Sequence, residues 1–271
     1  DSVASRGLGD VYKRQRKEIG SSMIVVRNLC KSFGAQQVLR DINLEFEDGK
    51  ITAVVGPSGV GKSVLLKIIT GLIRPDSGDV QIGSDIITAL RSEAELNRVR
   101  ERLGVLFQGA ALFDSMTVFD NIAFPLTARG RLSRKETQRK VLEMADALGL
   151  DRYLTLLPGE ISMGTRKRVG LARALITSPQ IVLFDEPNTF LDPLVGQEVY
   201  DLIKLSRERW KFTGIVISHE LPEVFQVSDR VVMLLQGEVI FDARPKDMQR
   251  SSDPRVVQFL QGKTDGPIQI Q

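Results

Sequence analysis

Continuous apolar runs separated by polar and glycine-rich segments dominate the pattern of the chain. ITAVV (51–55), IVLFDE (181–186) and GIVISHE (214–220) predict buried strands, and RVVMLLQ (230–236) and EVIFDA (238–243) predict two more. Segments with a helical pattern lie between ITAVV, IVLFDE and GIVISHE. Continuous apolar strands that alternate with helices predict an α/β fold, with a parallel sheet covered on both faces.

A different pattern precedes this core. MIVV, which begins at Met23, predicts a short strand, and INLEF (42–46) alternates apolar and polar residues. Asp48-Gly49 follows and is a dipeptide typical of hairpin turns. We therefore predict a separate antiparallel edge ahead of the parallel sheet.

Helical spacing is clearest in three places. SVLLKIITGL predicts a helix that ends at Gly71, and Asp192 with Pro193 predicts the N-cap and first residue of another. The region from Ala94 to Leu150 is mostly helical in pattern. One helix face in it is predicted from three- and four-residue spacing to consist of Val141, Leu142, Ala145 and Leu148.

Composition excludes several classes of protein. The 271 residues are 42% hydrophobic and 26% charged, which is typical of a globular domain. The net charge of +3 is too small to indicate nucleic-acid binding, and the single cysteine, Cys30, permits no internal disulfide. No apolar run approaches the roughly 18 residues of a membrane span. We expect any membrane role to act from the aqueous side, through a partner.

The first residues differ from the rest of the chain. Residues 1–22 lack hydrophobic periodicity and do not begin with Met. We interpret them as a disordered tail or an extension introduced by cloning, with Met23 as the expected native start. No signal-peptide pattern is present in them.

A glycine-rich loop carries the clearest chemistry. GPSGVGKS matches the pattern GxxxxGK[ST] between a predicted strand and a predicted helix. Its glycines let backbone amides point at phosphate oxygens, and the helix N-terminus adds partial positive charge. Lys62 is predicted to reach the β- and γ-phosphates, and Ser63 to bind Mg²⁺. The predicted nucleotide contacts are Gly56, Pro57, Ser58, Gly59, Val60, Gly61, Lys62 and Ser63.

Acidic residues and the sole histidine follow the buried strands. Asp185 emerges at the carboxyl end of its strand, where ligands bind in such sheets, and is predicted to hold Mg²⁺. Glu186 is predicted to polarise the water that attacks the γ-phosphate. His219 is predicted to hydrogen-bond that phosphate or that water. Each of these short motifs alone also fits a strand that ends in acids by chance, or a surface histidine.

In their shared order from Met23 to about Met248, these segments resemble the ATPase subunits of ABC transporters. GPSGVGKS corresponds to the Walker A loop, IVLFDEP to Walker B and ISHE to the His switch. The resemblance implies that Phe33 stacks on adenine, although a core phenylalanine is the alternative. It implies that Gln108 is the Q-loop residue, which contacts Mg²⁺ and links the nucleotide to a permease. NTFLD would be the D-loop, with Asp192.

The fold implied by this resemblance is a P-loop NTPase of the ABC ATPase type. It has a RecA-like parallel-sheet core, an antiparallel β edge subdomain and a helical subdomain, here at about residues 109–165. The ATPase domain would span residues 23–248, and residues 249–271 would form a C-terminal tail with a possible dimer contact.

ISMGT (161–165) resembles the family signature, which is usually LSGGQ. Ser162 and Gly164 agree, whereas Met163 replaces a glycine and Thr165 replaces a glutamine. The resemblance implies a head-to-tail dimer, in which each ATP lies between one chain's Walker A loop and the other chain's signature. Ser162 would cap the following helix and face the γ-phosphate. We expect a working but altered signature with lowered turnover.

Basic residues follow the signature directly. Arg166, Lys167 and Arg168 crowd a helix start, which is unfavourable for the helix dipole unless an anion lies near. For Arg166 and Lys167 a solvated basic face is an equally good interpretation.

Two segments give a narrower resemblance, to ATPases of the Mla/Mce lipid-transport systems. They are LFQGAALFDSMTVFDNIAFPL (106–126) and SSDPRVVQFLQGKTDGP (251–267). This resemblance implies a bacterial protein at the cytoplasmic face of the inner membrane, peripheral and bound to a permease and an MCE-domain lipid-binding protein. The cargo would be phospholipid or a related lipid, moved between the inner membrane and an outer layer.

Other interpretations of the two segments stay open. Phe113, Val118, Phe119 and Phe124 also fit the core of a helical subdomain, and the tail also fits a disordered segment. If the tail is ordered, 255–260 is expected to be a short amphipathic anchor, with Val256, Val257, Phe259 and Leu260 apolar.

Other functions are alternatives to lipid transport. One is the ATPase of an importer for another small solute, and another is a non-hydrolysing regulatory subunit, for which the altered signature is the support. A soluble ABC ATPase of translation or DNA repair is disfavoured, because the chain has one cassette and no heptad run.

Overall fold

The computed structural model describes residues 22–269. The expectation of a tail at residues 1–22 therefore lies outside the described residues, except for Ser22, at which the first strand begins.

Strands and helices alternate along the described chain. The strands are β1 (Ser22–Phe33), β2 (Gln36–Glu47), β3 (Ile51–Val55), β4 (Ser77–Ile82), β5 (Asp85–Ile86), β6 (Leu103–Leu106), β7 (Ile181–Asp185), β8 (Thr213–Ile217), β9 (Arg230–Leu235) and β10 (Glu238–Ala243). The helices are α1 (Lys62–Ile69), α2 (Glu93–Arg100), α3 (Val118–Arg129), α4 (Arg134–Leu148), α5 (Met163–Leu175), α6 (Pro193–Trp210), α7 (Leu221–Val227), α8 (Pro245–Gln249) and α9 (Pro254–Gln261). Short 3₁₀ turns lie at Ile87–Ala89, Asp151–Tyr153 and Pro158–Glu160.

A six-stranded sheet forms the centre of the fold, in the order β10-β9-β3-β8-β7-β6. The pairs from β9 to β6 are parallel, and β10 is antiparallel to β9. Every residue of β3 and of β8 is buried, as expected for strands covered on both faces. The predicted parallel core is confirmed.

The first strands form a separate antiparallel sheet in the order β2-β1-β4-β5. The interpretation of Asp48-Gly49 as a hairpin turn is wrong. This turn joins β2, the edge strand beside β1, to β3, which lies between β9 and β8 in the parallel sheet. A bond from Arg40 N to Gly237 O, 2.8 Å long, links the two sheets.

The helical pattern between Ala94 and Leu150 is only partly correct. β6 interrupts it and pairs with β7 at the edge of the parallel sheet. In α4, Val141 and Ala145 are fully buried, but Leu142 is 44% exposed. A helix turns about 100° per residue, so Leu142 points away from the face that Val141 occupies. Met144 is buried on that face instead.

The predicted helix ends are confirmed. Asp192 caps α6 by accepting a hydrogen bond of 3.1 Å from Val195 N, and Pro193 is the first helical residue. Gly71 follows α1 with φ 67°, a left-handed value that ends the helix.

The C-terminal segment is folded onto the body of the protein, so the alternative of a disordered tail is wrong for residues up to 269. Val256 on α9 and Ile268 join the core beneath the parallel sheet, with Phe259 and Leu260 packed against it. Gln258 is 5% exposed. Its side chain bonds to the backbone of Ile268, with donor–acceptor distances of 3.0 and 2.7 Å.

None of the helices between residues 22 and 269 combines the length and the apolar character that a membrane-spanning helix requires.

Candidate functional site

The glycine-rich loop joins β3 to α1 in a shape that glycine alone permits at two points. Gly56 has φ 144° and Gly61 has φ 102°. A Cβ at Gly56 would lie 2.2 Å from Leu234 O, and one at Gly61 would lie 2.9 Å from Val38 O. The backbone therefore curls tightly here, as phosphate binding by main-chain amides requires.

Lys62 lies inside this loop. Its side chain is 5% exposed and donates hydrogen bonds of 2.7 Å to Gly56 O and 2.8 Å to Pro57 O. Burial lowers the pKa of Lys62, while the carboxylates of Glu186 and Asp185 act in the opposite direction. The loop thus holds a cation where an anionic ligand would be bound.

Ser63 and Asp185 bring two oxygen groups together across the sheet. Ser63 Oγ donates to Asp185 Oδ1 at 3.0 Å. Burial raises the pKa of Asp185, an effect that the Ser63 hydrogen bond opposes and the nearby Glu186 charge strengthens.

The Ser63–Asp185 pair fits Mg²⁺ in its chemistry. In the described part of the chain no group of three or more His, Cys, Asp or Glu side chains could hold a metal ion. Mg²⁺ commonly takes only one or two carboxylates from a protein and completes its shell with substrate phosphates and water. A hydroxyl and a carboxylate beside a phosphate-type loop suit that mode of binding.

Glu186 is the point at which the predicted residues meet. Its Oε2 accepts from Gln108 Nε2 at 2.8 Å and from Thr189 Oγ1 at 3.1 Å. Its Oε1 lies 3.4 Å from His219 Nδ1. The carboxylate of Glu186 is therefore contacted by Gln108 and His219, two residues that lie far from each other in the sequence.

The backbone of Glu186 is also unusual. Its φ of 48° is left-handed, a conformation that costs a residue with a Cβ roughly 1–3 kcal/mol and needs support from its surroundings. Glu186 N donates to Ile217 O at 2.9 Å, which ties the residue to the end of β8.

Phe33 lies at the rim of the cleft above the loop. It is 48% exposed, so the alternative of a core phenylalanine is wrong. The cleft is lined by Phe33, Val38, Lys62, Ser63 and Glu186, among others. An exposed ring at this rim is suitably placed to stack on a planar base.

The signature segment begins a helix in the ordinary way. Ser162 is the N-cap of α5, and its Oγ accepts from Thr165 N at 3.2 Å and lies 3.0 Å from Thr165 Oγ1. Met163 is the first helical residue and is not among the positive-φ positions. The backbone at Met163 therefore does not require glycine.

Gly164 is needed for packing. A Cβ there would lie 2.6 Å from Val195 Cγ1, so this glycine allows α5 to lie close to α6. Ser162, Gly164 and Asp192 are not among the residues that line the Phe33–Lys62 cleft of the same chain.

Lys167 departs from the sequence expectation, because the solvated basic face is wrong for this residue. It is 1% exposed, and its ammonium donates to Gln108 O and, at 3.3 Å, to Glu186 O. Burial lowers the pKa of Lys167 to about 8, although Glu186 and Asp185 act to raise it. Arg168 pairs with Glu198 at 2.7 Å.

Tyr200 is a second residue that sequence reasoning missed. Its side chain is fully buried, and its hydroxyl lies 3.2 Å from Asn188 Oδ1 and 2.9 Å from Ser218 Oγ. Asn188 in turn donates to the Glu220 carboxylate. Burial raises the pKa of Tyr200. The network joins the loop after Glu186 to the loop that carries His219, and no local pattern indicates it.

Phe113 and Phe124 form an exposed aromatic pair beyond Gln108. They are 41% and 37% exposed, so these two are not core residues, whereas Val118 is buried. Their ring centroids lie 4.7 Å apart, and Arg173 lies 5.9 Å from the Phe113 centroid. Both rings line a groove beside β6, together with Arg129 and Arg173.

Comparisons with known proteins agree with this geometry. A family model described as "ABC transporter" matches residues 39–189. The intermembrane phospholipid transport system ATP-binding protein MlaF of Haemophilus influenzae is 38% identical over 253 residues, which cover 93% of this chain and 96% of that protein. The probable ribonucleotide transport ATP-binding protein mkl of Mycobacterium leprae is 40% identical over 246 residues, covering 90% of this chain and 70% of that protein.

Among solved structures, the dimeric post-hydrolysis state of the ATP-binding cassette MJ0796, bound to ADP and Pi, has a TM-score of 0.75 and 31% identity. The match covers 82% of this chain and 99% of that one.

Proposed function

Because this chain belongs to the ABC transporter family of ATP-binding proteins, we propose that the ATP it hydrolyses drives the transport of phospholipid or a related lipid. The energy would act through an integral membrane permease and an MCE-domain lipid-binding protein, between the inner membrane and an outer layer. The chain would lie at the cytoplasmic face of a bacterial inner membrane as a peripheral subunit.

The observation that carries ATP hydrolysis in this proposal is the contact of Gln108 and His219 with the carboxylate of Glu186. The three side chains converge within 3.4 Å beside the Ser63–Asp185 pair. A carboxylate held in this way can accept a proton from the attacking water as the bond to the γ-phosphorus forms and the bond to the bridging oxygen breaks. We assign catalytic roles to Glu186 and His219.

The nucleotide contacts that we propose involve the whole loop. Lys62 would exchange its bonds to Gly56 O and Pro57 O for phosphate oxygens, and Phe33 would stack on adenine. Ser63, Asp185 and Gln108 would hold Mg²⁺. When bound, that ion supplies neutralisation of the charge that develops on the phosphoryl oxygens.

A second protomer would complete each site. Ser162, Gly164 and Asp192 do not line the cleft of their own chain, which supports a role toward the nucleotide of a head-to-tail partner. Close to Asp192, Phe190 and Leu194 are 74% and 81% exposed. In a head-to-tail dimer these apolar side chains would be covered by the partner.

Lipid as the cargo is supported by the H. influenzae relative, which matches along nearly its entire length and is named as part of a phospholipid transport system. The exposed Phe113–Phe124 groove beside the Q-loop suits an apolar helix of the permease. A ribonucleotide or other small solute is the second candidate, because the M. leprae relative carries that name at 40% identity. The convergence of groups on Glu186 disfavours a non-hydrolysing regulatory subunit.

A pull-down from detergent-solubilised native membranes tests the cargo. The bait is the tagged Glu186→Gln chain with ATP and Mg²⁺, and proteins and lipids are identified by mass spectrometry. We expect a permease, an MCE-domain protein and enriched phospholipid. The matched control is Glu186→Gln with Lys62→Ala, which should lose the nucleotide and any nucleotide-dependent partners. A solute-type permease with a binding protein would overturn lipid as the cargo, and recovery of no membrane partner would overturn the transport proposal.

A further inference from the structure

Lys167 connects three parts of the protein that the proposed mechanism treats separately. It belongs to α5, the helix that Ser162 begins, yet its ammonium bonds to the backbone carbonyls of Gln108 and Glu186. These carbonyls belong to the loop after β6 and to the end of β7. A charged group that is 1% exposed needs such partners, because burying an unpaired charge is strongly unfavourable.

These contacts bear directly on the Glu186 carboxylate. Glu186 has a left-handed φ of 48°, and its backbone makes three hydrogen bonds. Its N–H donates to Ile217 O, and its carbonyl accepts from Lys167 Nζ and from Thr189 N, both at 3.3 Å. Gln108 Nε2 donates to the same carboxylate at 2.8 Å. The ammonium of Lys167 therefore contacts the backbones of both residues whose side chains form the Gln108–Glu186 hydrogen bond.

We propose that Lys167 is a positioning residue for hydrolysis. It holds the backbones of Gln108 and Glu186 at a fixed distance from each other and links their positions to helix α5. It touches neither the nucleotide nor the reacting atoms. The inference rests on the proposed role of Glu186 and on the proposed head-to-tail dimer. In that dimer Ser162 faces the partner's nucleotide, while Lys167, on the same helix, contacts Glu186 of its own chain. A displacement of α5 at the partner's nucleotide would therefore be transmitted through Lys167 to Glu186 at the chain's own nucleotide. Lys167 thereby contributes to cooperativity between the two sites.

Substitution of Lys167 by Met keeps the chain length and removes the ammonium. In the full-length protein we expect kcat for ATP hydrolysis to fall roughly ten- to a hundred-fold, because a misplaced catalytic group costs that order of rate. The ATP concentration at half-saturation should change by less than about two-fold, since the loop that binds the phosphates is untouched. The Hill coefficient should fall toward one.

The matched control is Lys204→Met, which removes an exposed lysine in the middle of helix α6. It should leave kcat, half-saturation and Hill coefficient unchanged. If Lys167→Met does not fold, Lys167→Gln retains a donor for one carbonyl and should give an intermediate loss of kcat. Wild-type kcat in a folded Lys167 variant, or equal losses in binding and turnover, would overturn the proposal.

A double-mutant cycle separates positioning from a purely structural role. Gln108→Ala removes the amide that Lys167 would orient, so Lys167→Met should cost less in that background than alone. Effects on kcat that multiply fully would show that Lys167 acts independently of Gln108 and would overturn the inference. Failure of the proposed function has a different result: Glu186→Gln would retain turnover, whatever the Lys167 variants do.

Discussion

Neighbouring residues of the signature are constrained by different forces. Ser162 is fixed by its capping bonds to Thr165. Gly164 has to be a glycine because Val195 lies too close for a Cβ. Met163 lies between them as the first residue of a helix, with ordinary helical geometry and a partly buried side chain. The departure from glycine at Met163 therefore brings no backbone strain. Any lowering of turnover by Met163 has to come from its side chain, at the interface with a partner.

Met163→Gly should have little effect on turnover, whereas Gly164→Ala should destabilise the fold. We expect Met163→Gly to change kcat by no more than about two-fold, since the position does not need a glycine backbone. Gly164→Ala should lower the free energy of unfolding by about 1–3 kcal/mol, because its Cβ overlaps Val195. Urea denaturation and steady-state ATPase assays measure the two effects. A large gain in turnover from Met163→Gly would show that the methionine side chain obstructs the partner site.

The hydroxyl of Tyr200 should contribute to stability independently of its ring. Tyr200→Phe keeps the packing but removes the group shared by Asn188 and Ser218, so the free energy of unfolding should fall by about 1–2 kcal/mol. Turnover should fall as well, because the loop of His219 loses its tie to the loop after Glu186. Tyr153→Phe is the matched control, since the hydroxyl of Tyr153 bonds only to exposed Arg152 among the described contacts. Equal effects of the two substitutions would contradict the role of the network.

At the scale of elements, a buried amide on the C-terminal helix holds the segment that follows the helix. Gln258 on α9 bonds to Lys263 O and to both backbone groups of Ile268. A Cβ at Gly266 would lie 2.4 Å from Gln258 Oε1, so the chain passes directly over this side chain. The expected amphipathic anchor packs in large part within its own chain, because Val256 lies in the core and Phe259 and Leu260 pack against that core.

Gln258→Leu should release the segment from 263 to 269. The substitution leaves buried backbone groups of Ile268 without partners, which costs about 1–3 kcal/mol. Hydrogen–deuterium exchange should show faster exchange in this segment and little change in the parallel sheet. Gln261→Leu, at an exposed position of the same helix, is the control and should leave exchange unchanged. Protection of the segment in Gln258→Leu would mean that apolar packing alone retains it.

At the scale of the whole molecule, a single chain does not bring all of the predicted nucleotide contacts into one cleft. The Phe33–Lys62 cleft collects the phosphate loop and Glu186, but Ser162 and Asp192 lie outside it. Contacts that form only in a closed dimer would allow ATP to shift the equilibrium between open and closed states.

Glu186→Gln should convert this chain into an ATP-dependent dimer. We expect size-exclusion chromatography with light scattering to give a dimer with ATP and Mg²⁺ and a monomer without nucleotide, because slow hydrolysis preserves the closed state. Addition of Lys62→Ala in the same chain should restore the monomer. A dimer that is independent of nucleotide, or a monomer at saturating ATP, would contradict the head-to-tail arrangement.

The sequence by itself determined the features that depend on local pattern. Buried strands such as ITAVV, the glycine-rich loop around Lys62 and the cap at Asp192 follow from neighbouring residues alone, because periodicity, φ preference and capping act over a few positions. The order of motifs also determined the family. These features fixed the α/β core and most of the candidate site.

Only the tertiary structure decided which distant segments meet. Asp48-Gly49 looks like a hairpin turn, yet it joins two sheets because β3 pairs with the distant strands β8 and β9 rather than with β2. Lys167 looks like a surface lysine, yet the loop of Gln108 and the end of β7 cover it. Burial and pairing of such groups depend on chain segments far away in sequence, and no local pattern records which segments those are.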